Sequence, residues 1–354
     1  MDDGTTNKAR RRVSRVMQHC SGTAKFRYSL DSAEAEGILT RAQRAFYEEN
    51  GYIVIKSLVP QDALARYNTR FQEYCTGARP APDNMTMMRD VELIKARGGA
   101  AAARAAMGED NITKLQHFQM DRELFHYSRL PEVVRYVRAF CGPNVKSVHT
   151  MLINKPPDLG RGSSRHPPHQ DLWYFPFRPA DRIVASWTAM QTINPENGCL
   201  FVKPGSHKGS LLMHEYPNDG TVNKAYHGIQ GFNTEAQGDT LTKLSMDPGD
   251  TVFFHPLLIH GSGRNRSGKF RKAISTHYAS CGAPDACYMI ETLGTIQDSL
   301  ATEILEMAKS KAKGTPLEGL EITHAMIYRF LSQLVHGEEN AEDDPPPGGG
   351  SEWL

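Results

Sequence analysis

The sequence predicts a mainly β fold, a sandwich or a barrel, with helices on its flanks. From about Val145 onward, short runs rich in β-branched and aromatic residues alternate with Gly, Pro and Asn. Many short strands at this spacing are typical of sandwiches and barrels. Helical patterns precede this region and return after Ser299. No period of about 20 to 50 residues repeats, which excludes a solenoid.

The predicted elements follow from local start and stop signals. Thr40 is suited to cap a helix that Gly51 would end, and Pro60 and Pro131 are each suited to open one. The predicted helices are 41–50, 60–75, 131–141 and two more that end near residue 335. The predicted strands are 52–55, 145–154, 184–193, 199–203, 250–254 and 270–278.

The composition is that of a soluble globular protein and excludes several classes. The 354 residues carry 41 Lys and Arg against 40 Asp and Glu, so there is no positive field for coating nucleic acid. The hydrophobic fraction of 39% excludes wholesale disorder, and no run of about 18 apolar residues could span a bilayer. Six cysteines without a CxxC pair indicate reduced, buried thiols in an intracellular protein.

Three regions are predicted along the chain. Residues 1–27 are basic without an apolar stretch, and form either a targeting segment or a disordered arm. Residues 28–336 form the folded domain, in which an alanine-rich stretch over 98–106 is a surface insertion. Residues 337–354, which are acidic and rich in Pro and Gly, form a disordered tail.

His169-Gln-Asp171 provides the first half of a candidate metal site. Non-haem Fe(II) oxygenases bind iron with two imidazoles and one carboxylate on one face of the metal. Alternate residues of an extended segment point the same way, so His169 and Asp171 can supply two of these ligands. The motif is weak on its own, because 14 histidines produce such matches by chance and His336-Gly-Glu338 is another.

A β-prone run over 250–260 provides the second histidine. The run ends at His260 and is followed by Gly- and Ser-rich turn material and a second strand over 270–278. Folded as a hairpin, these strands would place Arg271 close to His260. His255 is a rival ligand, although the proline beside it indicates a bend.

Arg271 is the candidate for binding a small acid. It shares a strand face with Ala273, Ser275 and His277, and the two small side chains leave room in front of the guanidinium. Arginine grips a carboxylate with two hydrogen bonds and keeps its charge. Each residue alone is more often structural, but a metal-binding histidine followed closely by such an arginine is what a 2-oxoglutarate site requires.

Several longer stretches carry a resemblance to a known family. They include HQDLWYFPFRPAD over 169–181 and GDTVFFHPLLIHGSG over 249–263, together with 149–158, 187–190, 197–200, 204–210 and 227–230. They resemble the phytanoyl-CoA dioxygenase family of Fe(II)/2-oxoglutarate oxygenases, over about residues 26–335. The resemblance implies a double-stranded β-helix, that is, a cupin-like jelly-roll core with flanking helices, and makes 28–336 the dioxygenase domain.

The resemblance also implies roles for individual residues. It makes His169, Asp171 and His260 the catalytic iron ligands. It implies that Arg271 binds the distal carboxylate of 2-oxoglutarate and that the pocket is lined by Lys114, Met151, Trp187 and Ser262. From the residues alone, Lys114 is equally a surface cation and Trp187 a core aromatic.

The implied activity is hydroxylation of a fatty acyl-CoA at carbon 2, in the α-oxidation of 3-methyl-branched chains. The reaction would use Fe(II), 2-oxoglutarate and O2, with ascorbate as reductant, and would yield the 2-hydroxyacyl-CoA, succinate and CO2. Asp171 favours hydroxylation, because related halogenases lack this carboxylate so that halide can bind the iron. The alternatives are a hydroxylase of a non-CoA small molecule and a non-catalytic jelly-roll binding module.

The N-terminal segment is similar to a peroxisomal type-2 targeting signal. Residues 12–20 nearly fit its pattern, with Cys20 as the misfit. The similarity implies a peroxisomal location and an import receptor as partner. The arginine-rich composition leaves mitochondrial import as the alternative, which two acidic residues near the start weaken.

Four basic residues lie in or beside the motif-bearing segments: Lys155, Arg161, Arg165 and Lys208. Each is at least as well explained as a solvated surface cation. The sequence therefore predicts no particular site for the phosphates of coenzyme A.

Overall fold

The computed structural model describes seven segments of the chain. They are residues 37–82, 84–89, 108–158, 164–216, 226–282, 286–313 and 318–338. The basic N-terminal segment, the alanine-rich stretch over 98–106 and the tail beyond residue 338 lie outside the described residues.

Six α-helices and sixteen strands form within the described segments. The helices are α1 (Arg41–Asn50), α2 (Gln61–Thr76), α3 (Arg122–Arg129), α4 (Pro131–Cys141), α5 (Asp298–Ala312) and α6 (His324–Leu331). The first eight strands are β1 (Tyr52–Ile55), β2 (Thr86–Met88), β3 (Lys114–Gln116), β4 (Val145–Lys155), β5 (His166–His169), β6 (Phe177–Arg178), β7 (Ile183–Ala189) and β8 (Leu200–Val202). The others are β9 (His214–Glu215), β10 (Gly228–Ile229), β11 (Thr242–Leu244), β12 (Thr251–Phe254), β13 (His260–Ser262), β14 (Arg271–Ser280), β15 (Tyr288–Met289) and β16 (Gln333–His336).

Two antiparallel sheets face each other. The major sheet has eight strands in the order β1-β12-β7-β14-β4-β3-β2, with β16 also paired to β4. The minor sheet has four strands in the order β11-β8-β13-β5. The pairs β9–β10 and β6–β15 form two small additional sheets. This architecture is the predicted jelly-roll core.

The apolar core has two layers, one on each face of the major sheet. Between the sheets, Val252 and Phe254 of the major sheet pack in one cluster with Leu200 and Val202 of the minor sheet. On the opposite face, inward-pointing residues of the helices pack against the alternate residues of the same strands, such as Phe253. The helices therefore cover the outside of the major sheet and leave its inner face for the site.

Helix α1 shows how closely local signals determine an element. Thr40 Oγ1 accepts a hydrogen bond from Gln43 N (3.2 Å) and Thr40 N donates to Gln43 Oε1 (2.9 Å), which completes a capping box. Gly51 ends the helix at φ 80°, a left-handed conformation that glycine adopts without strain. A Cβ at this position would also overlap the imidazole ring of His207.

The predicted hairpin between His260 and Arg271 is wrong. Strand β12 ends at Phe254, the chain turns at Pro256, and β13 begins at His260 in the minor sheet. The turn is closed by a hydrogen bond from Leu258 N to the carbonyl of the residue three positions before it, and proline cannot donate to a strand ladder. The β-prone run is thus two strands on opposite sheets, and Arg271 faces His260 across the interior.

The end of the described chain also differs from the prediction. Two helices do follow residue 298, but α6 ends at Leu331, and Gln333–His336 is strand β16 on the edge of β4. The predicted strand over 184–193 ends at Ala189, and Ile193 forms only an isolated bridge with Met246.

Two expectations from composition are met within the described segments. The cysteines there, Cys75, Cys141, Cys199, Cys281 and Cys287, are buried and free of disulfide bonds. Among the described helices, none is both long enough and apolar enough to cross a bilayer.

Candidate metal centre and co-substrate pocket

Three potential metal ligands meet at one end of the minor sheet. His169 is the last residue of β5 and lies directly opposite His260, the first residue of β13. Asp171 opens a short 3₁₀ helix, Asp171–Tyr174, immediately after β5. One ligand atom from each of the three residues lies within 4.8 Å of the other two, and all three residues are buried. Asp171 Oδ1 is 3.4 Å from His169 Nε2 and 3.7 Å from His260 Nε2.

Both imidazoles are oriented to coordinate through Nε2. His169 Nδ1 donates to the carbonyl of Pro167 (2.9 Å), and His260 Nδ1 donates to the carbonyl of Leu258 (3.0 Å). A carbonyl oxygen only accepts, so each Nδ1 carries the proton and each Nε2 keeps its lone pair. Such backbone hydrogen bonds are the usual way in which a protein fixes the ring of a metal-binding histidine.

The charges of the cluster suit a divalent cation. Burial lowers the pKa of His260 to about 4, which keeps this imidazole neutral at physiological pH. Burial opposes ionisation of Asp171, but the interactions with His260 and His277 outweigh it and lower the pKa of the Asp171 carboxyl well below its usual range. Neutral imidazoles and an ionised carboxylate are the donor set of a non-haem Fe(II) site.

His277 holds the second oxygen of the carboxylate. It lies in β14 of the major sheet, and its Nε2 is 2.9 Å from Asp171 Oδ2. Because Oδ2 is bound there, Oδ1 remains directed at the two histidines. Strand alternation with Arg271 placed His277 on the inner face, but no motif indicated its partner.

The other histidine considered as a ligand, His255, lies apart from this cluster. Its Nδ1 accepts a hydrogen bond from Leu257 N (3.1 Å), and its ring lies tilted by 57° to that of His207, with centroids 5.5 Å apart. It is buried at the turn that separates β12 from β13. The structure therefore does not bring His255 to the metal ligands.

A cavity of about 190 Å³ opens beside the three ligands. It is smaller than the roughly 300–1,000 Å³ typical of sites for drug-sized ligands, so it suits a small co-substrate. Its walls come from both sheets and include all the residues predicted to line the pocket: Lys114 in β3, Met151 in β4, Trp187 in β7, Ser262 in β13 and Arg271 in β14.

Arg271 is a buried cation with hydrogen-bonding capacity to spare. It is only 1% exposed, and its Nη2 donates to the carbonyl of Gly198 (2.7 Å). The guanidinium carbon lies 5.3 Å from the ring centroid of Trp187. Burial lowers the pKa of Arg271 to about 10, which leaves it charged at neutral pH. Its Nε has no hydrogen-bond partner among the described residues. A buried donor without a partner costs free energy, so an anionic ligand in the cavity that accepts this hydrogen bond would be favoured.

Two further groups complete the polar wall of the cavity. Ser275, two strand positions from Ala273, is buried and its Oγ has no partner. Lys114 is buried with its Nζ 4.4 Å from the ring centroid of Tyr226. Asp171 is the one carboxylate among the described lining residues, whereas the cations include Lys114 and Arg271. The cavity thus fits a dicarboxylate beside a divalent metal.

A jelly roll with two histidines and one carboxylate at the mouth of its interior is characteristic of the non-haem iron oxygenases. Comparison with known proteins is more specific. The family model for phytanoyl-CoA dioxygenase matches residues 47–273. The chain belongs to the phytanoyl-CoA dioxygenase family.

Individual relatives cover nearly the whole chain. The peroxisomal phytanoyl-CoA dioxygenase of Rattus norvegicus is 47% identical over 315 residues, 89% of this chain and 86% of the relative. The probable phytanoyl-CoA dioxygenase of Caenorhabditis elegans is 48% identical over 317 residues, 88% and 97% respectively. Among solved structures, EctD from S. alaskensis with 2-oxoglutarate and 5-hydroxyectoine has a TM-score of 0.51 at 18% identity, covering 73% of this chain and 82% of EctD. That likeness shows the shared fold.

Proposed function

We propose that the protein is an Fe(II)- and 2-oxoglutarate-dependent dioxygenase that hydroxylates carbon 2 of 3-methyl-branched fatty acyl-CoA, as in fatty acid α-oxidation. The observation that carries the proposal is the arrangement of His169, Asp171 and His260 opposite Arg271 across one small cavity. The names of the rat and nematode relatives support phytanoyl-CoA as the substrate.

In this proposal the metal ligands come from the minor sheet and the turn beside it, and the arginine that binds the co-substrate comes from the major sheet. His169 Nε2, Asp171 Oδ1 and His260 Nε2 would bind Fe(II), while Arg271 binds the distal carboxylate of 2-oxoglutarate. Lys114, Met151, Trp187 and Ser262 line the rest of the co-substrate pocket. When bound, the metal with the keto acid supplies the activation of O2 that the protein side chains cannot provide.

The chain itself contributes position and exclusion of water. His277 holds Asp171 Oδ2, so that the carboxylate presents one oxygen and leaves coordination positions open. Arg271, anchored by Gly198 and flanked by Trp187, places one end of the keto acid at a defined distance from the ligands. Overall, the acyl-CoA, 2-oxoglutarate and O2 become 2-hydroxyacyl-CoA, succinate and CO2, with ascorbate maintaining ferrous iron.

The proposed location is the peroxisome. Relatives from rat and human are named as peroxisomal enzymes, which supports it. The targeting-like segment over 12–20, which would bind an import receptor, lies outside the described residues. Expression of full-length and 1–27-deleted chains as fluorescent fusions tests this: loss of peroxisomal signal on deletion is expected, and mitochondrial signal from the full chain would support the alternative.

The substrate class is tested with a panel of acyl-CoA thioesters and free acids. The purified protein receives Fe(II), ascorbate and 2-oxoglutarate with phytanoyl-CoA or phytanic acid, and succinate and the hydroxylated product are measured. We expect stoichiometric succinate and 2-hydroxyphytanoyl-CoA with the thioester and little with the acid. Turnover of the acid or another small molecule instead would indicate the non-CoA hydroxylase. Absence of metal-dependent decarboxylation with every compound would favour a binding module.

A further inference from the structure

Two arginines, Arg165 and Arg264, lie at the same end of the β5–β13 ladder, remote from the metal ligands. The two strands are antiparallel. His166, which lies three residues before His169, pairs with Ser262, which lies two residues after His260. Arg165 directly precedes β5, and Arg264 follows β13 by two residues. Continuing the register therefore brings both arginines to the same end. Their proximity is also seen in the pKa of Arg165, which burial lowers first and the charge of Arg264 lowers further.

The backbone at this end is held in place by a buried lysine. Lys155 Nζ donates to the carbonyl of Ser164 and to the carbonyl of Gly263 (2.9 Å). These residues are the immediate neighbours of Arg165 and Arg264. One ammonium group thus ties the two backbone segments together, and Arg165 and Arg264 project from a fixed backbone.

The local charge favours an anion. Arg165 is half-buried and lines the cavity, whereas Arg264 is exposed and makes no ion pair within the part of the chain that the structure describes. A third arginine, Arg89, lines the cavity from the major sheet, and its Nε is buried without a partner. The carboxylate of Asp158 also lies at this end of the strands, where it accepts a hydrogen bond from Ser164 Oγ (2.9 Å).

The spacing matches the shape of an acyl-CoA. Arg165 lies four residues before His169, about 13 Å along an extended strand, and Arg264 lies four residues after His260. Carbon 2 adjoins the thioester, so a productive substrate has its thioester near the metal. The pantetheine arm joins the thioester to the pyrophosphate over a length of about five extended residues. Flexible arginine side chains at this distance can therefore reach the phosphates.

We propose that Arg165 and Arg264, assisted by Arg89, bind the phosphate groups of the coenzyme A portion of the substrate. The inference rests on the proposed function, since it assigns the polar half of the substrate of the same site. Arginine forms paired, charge-assisted hydrogen bonds with phosphate, and a phosphate dianion relieves the repulsion between two adjacent guanidinium groups. A free fatty acid and a thioester without the phosphates both lack this anchor, so the proposal predicts tighter binding of the coenzyme A ester than of either compound.

The test separates phosphate binding from chemistry by changing both protein and substrate. The variants are Arg165→Gln, Arg264→Gln and the double variant, with Arg266→Gln as the matched control because Arg266 is an exposed arginine on the same loop. The KM values for phytanoyl-CoA, phytanoyl-pantetheine and 2-oxoglutarate are measured, as is the Kd of free coenzyme A by calorimetry on the metal-free protein.

Loss of each arginine should raise the KM for phytanoyl-CoA about tenfold, and the double variant should show about a hundredfold increase. The Kd of coenzyme A should weaken in parallel. The KM values for phytanoyl-pantetheine, which lacks the phosphates, and for 2-oxoglutarate should stay at the wild-type level. Arg266→Gln should behave as wild type throughout.

Unchanged KM and Kd values for the coenzyme A compounds in the double variant would overturn the inference, as would equal increases for both thioesters. Failure of the proposed function has a different signature, because the wild-type protein would then turn over neither thioester, and the inference would fall with it. If the double variant does not fold, the exposed Arg264→Gln variant decides by the same criteria.

Discussion

The two sheets of the jelly roll contribute different chemistry to one cavity. The minor sheet presents His169, Asp171 and His260 from short strands or the turn beside them, a donor set for a metal. The major sheet presents Arg271 and Lys114 from strands that are covered by helices on their other face. These two buried cations can bind an anion. The metal ligands and the buried cations thus approach the cavity from opposite sheets, so a metal and a dicarboxylate can meet between them.

The sheets also hold their functional side chains by different means. On the short strands of the minor sheet, backbone carbonyls next to the ligands fix the rings of His169 and His260. On the major sheet, β14 is paired along most of its length with β4 and β7, so the position of Arg271 follows from the sheet itself. His277 joins the two systems, because it belongs to β14 and binds the minor-sheet carboxylate Asp171.

The largest effect is expected from removing a ligand of the minor sheet. Asp171→Ala and His260→Ala should abolish succinate release, because two ligands cannot hold the metal in the required geometry. His336→Ala is the control, since it alters the other histidine-x-carboxylate match, which lies on the exposed edge strand β16. Turnover retained in either ligand variant would refute the assignment.

Removing the guanidinium of the major sheet should affect the co-substrate and spare the metal. Arg271→Gln should raise the KM for 2-oxoglutarate about 10- to 100-fold, the loss expected for a charged hydrogen bond. Arg271→Lys should recover only part of this, because lysine cannot form the paired bond. Steady-state kinetics with Fe(II) binding measured in parallel provide the check. A normal KM, or a loss of metal binding of the same size, would contradict the division between the sheets.

Replacing His277, which joins the two sheets, should have a smaller effect, confined to the affinity for Fe(II). His277→Leu removes the hydrogen bond to Asp171 Oδ2, and Fe(II) affinity should fall about tenfold, as for other outer partners of metal ligands. His277→Gln can still donate to this oxygen and should restore part of the affinity. Equilibrium Fe(II) titration measures this. Equal Fe(II) affinity in the wild-type protein and the Leu variant would show that His277 does not orient the ligand.

Replacing the carboxylate of Asp250, which directly precedes β12 and does not line the cavity, should influence stability alone. Asp250 is buried and accepts hydrogen bonds from Ser57 N (2.8 Å), Asp247 N (2.8 Å) and Lys56 Nζ. Asp250→Asn should therefore lower the free energy of unfolding at neutral pH by about 1–3 kcal/mol without changing either KM.

The contribution of Asp250 should depend on pH in a defined direction. Burial opposes ionisation, but the hydrogen bond from Lys56 and the backbone donors outweigh it and lower the pKa of the Asp250 carboxyl. A lowered pKa stabilises the fold above the pKa of the unfolded chain, and this stabilisation is lost as the pH falls through the folded pKa. Urea denaturation should show the gap between wild type and variant narrowing toward acid pH. A gap that widens on acidification would contradict the assigned ionisation.

Local chemistry in the sequence predicted elements and ligand types better than it predicted which sheet each residue joins. Motif spacing and β propensity marked His169, Asp171, His260 and Arg271 as candidates, with His255 left as a rival, and the family resemblance supplied their roles. Capping signals predicted α1. The hairpin failed because a hydrophobic run shows β propensity but does not show that a turn transfers the chain to the opposite sheet.

Other site residues carried weaker signals. Lys114, Met151 and Trp187 come from three separate strands and were proposed only through the family resemblance. A lysine or a tryptophan gains its role from long-range strand pairing, which leaves no local pattern. Alternation placed His277 on the inner face, but its hydrogen bond to Asp171 depends on how the two sheets approach each other.

Anaerobic spectrophotometric titration tests most directly whether the two sheets hold metal and keto acid together. Adding 2-oxoglutarate to the Fe(II)-loaded wild-type protein should produce a visible metal-to-ligand charge-transfer band that saturates at one equivalent. The Asp171→Ala protein should show no band, and Arg271→Gln should need much more 2-oxoglutarate to reach it. A wild-type protein that binds both without the band, or an Asp171→Ala protein that retains it, would contradict a shared site.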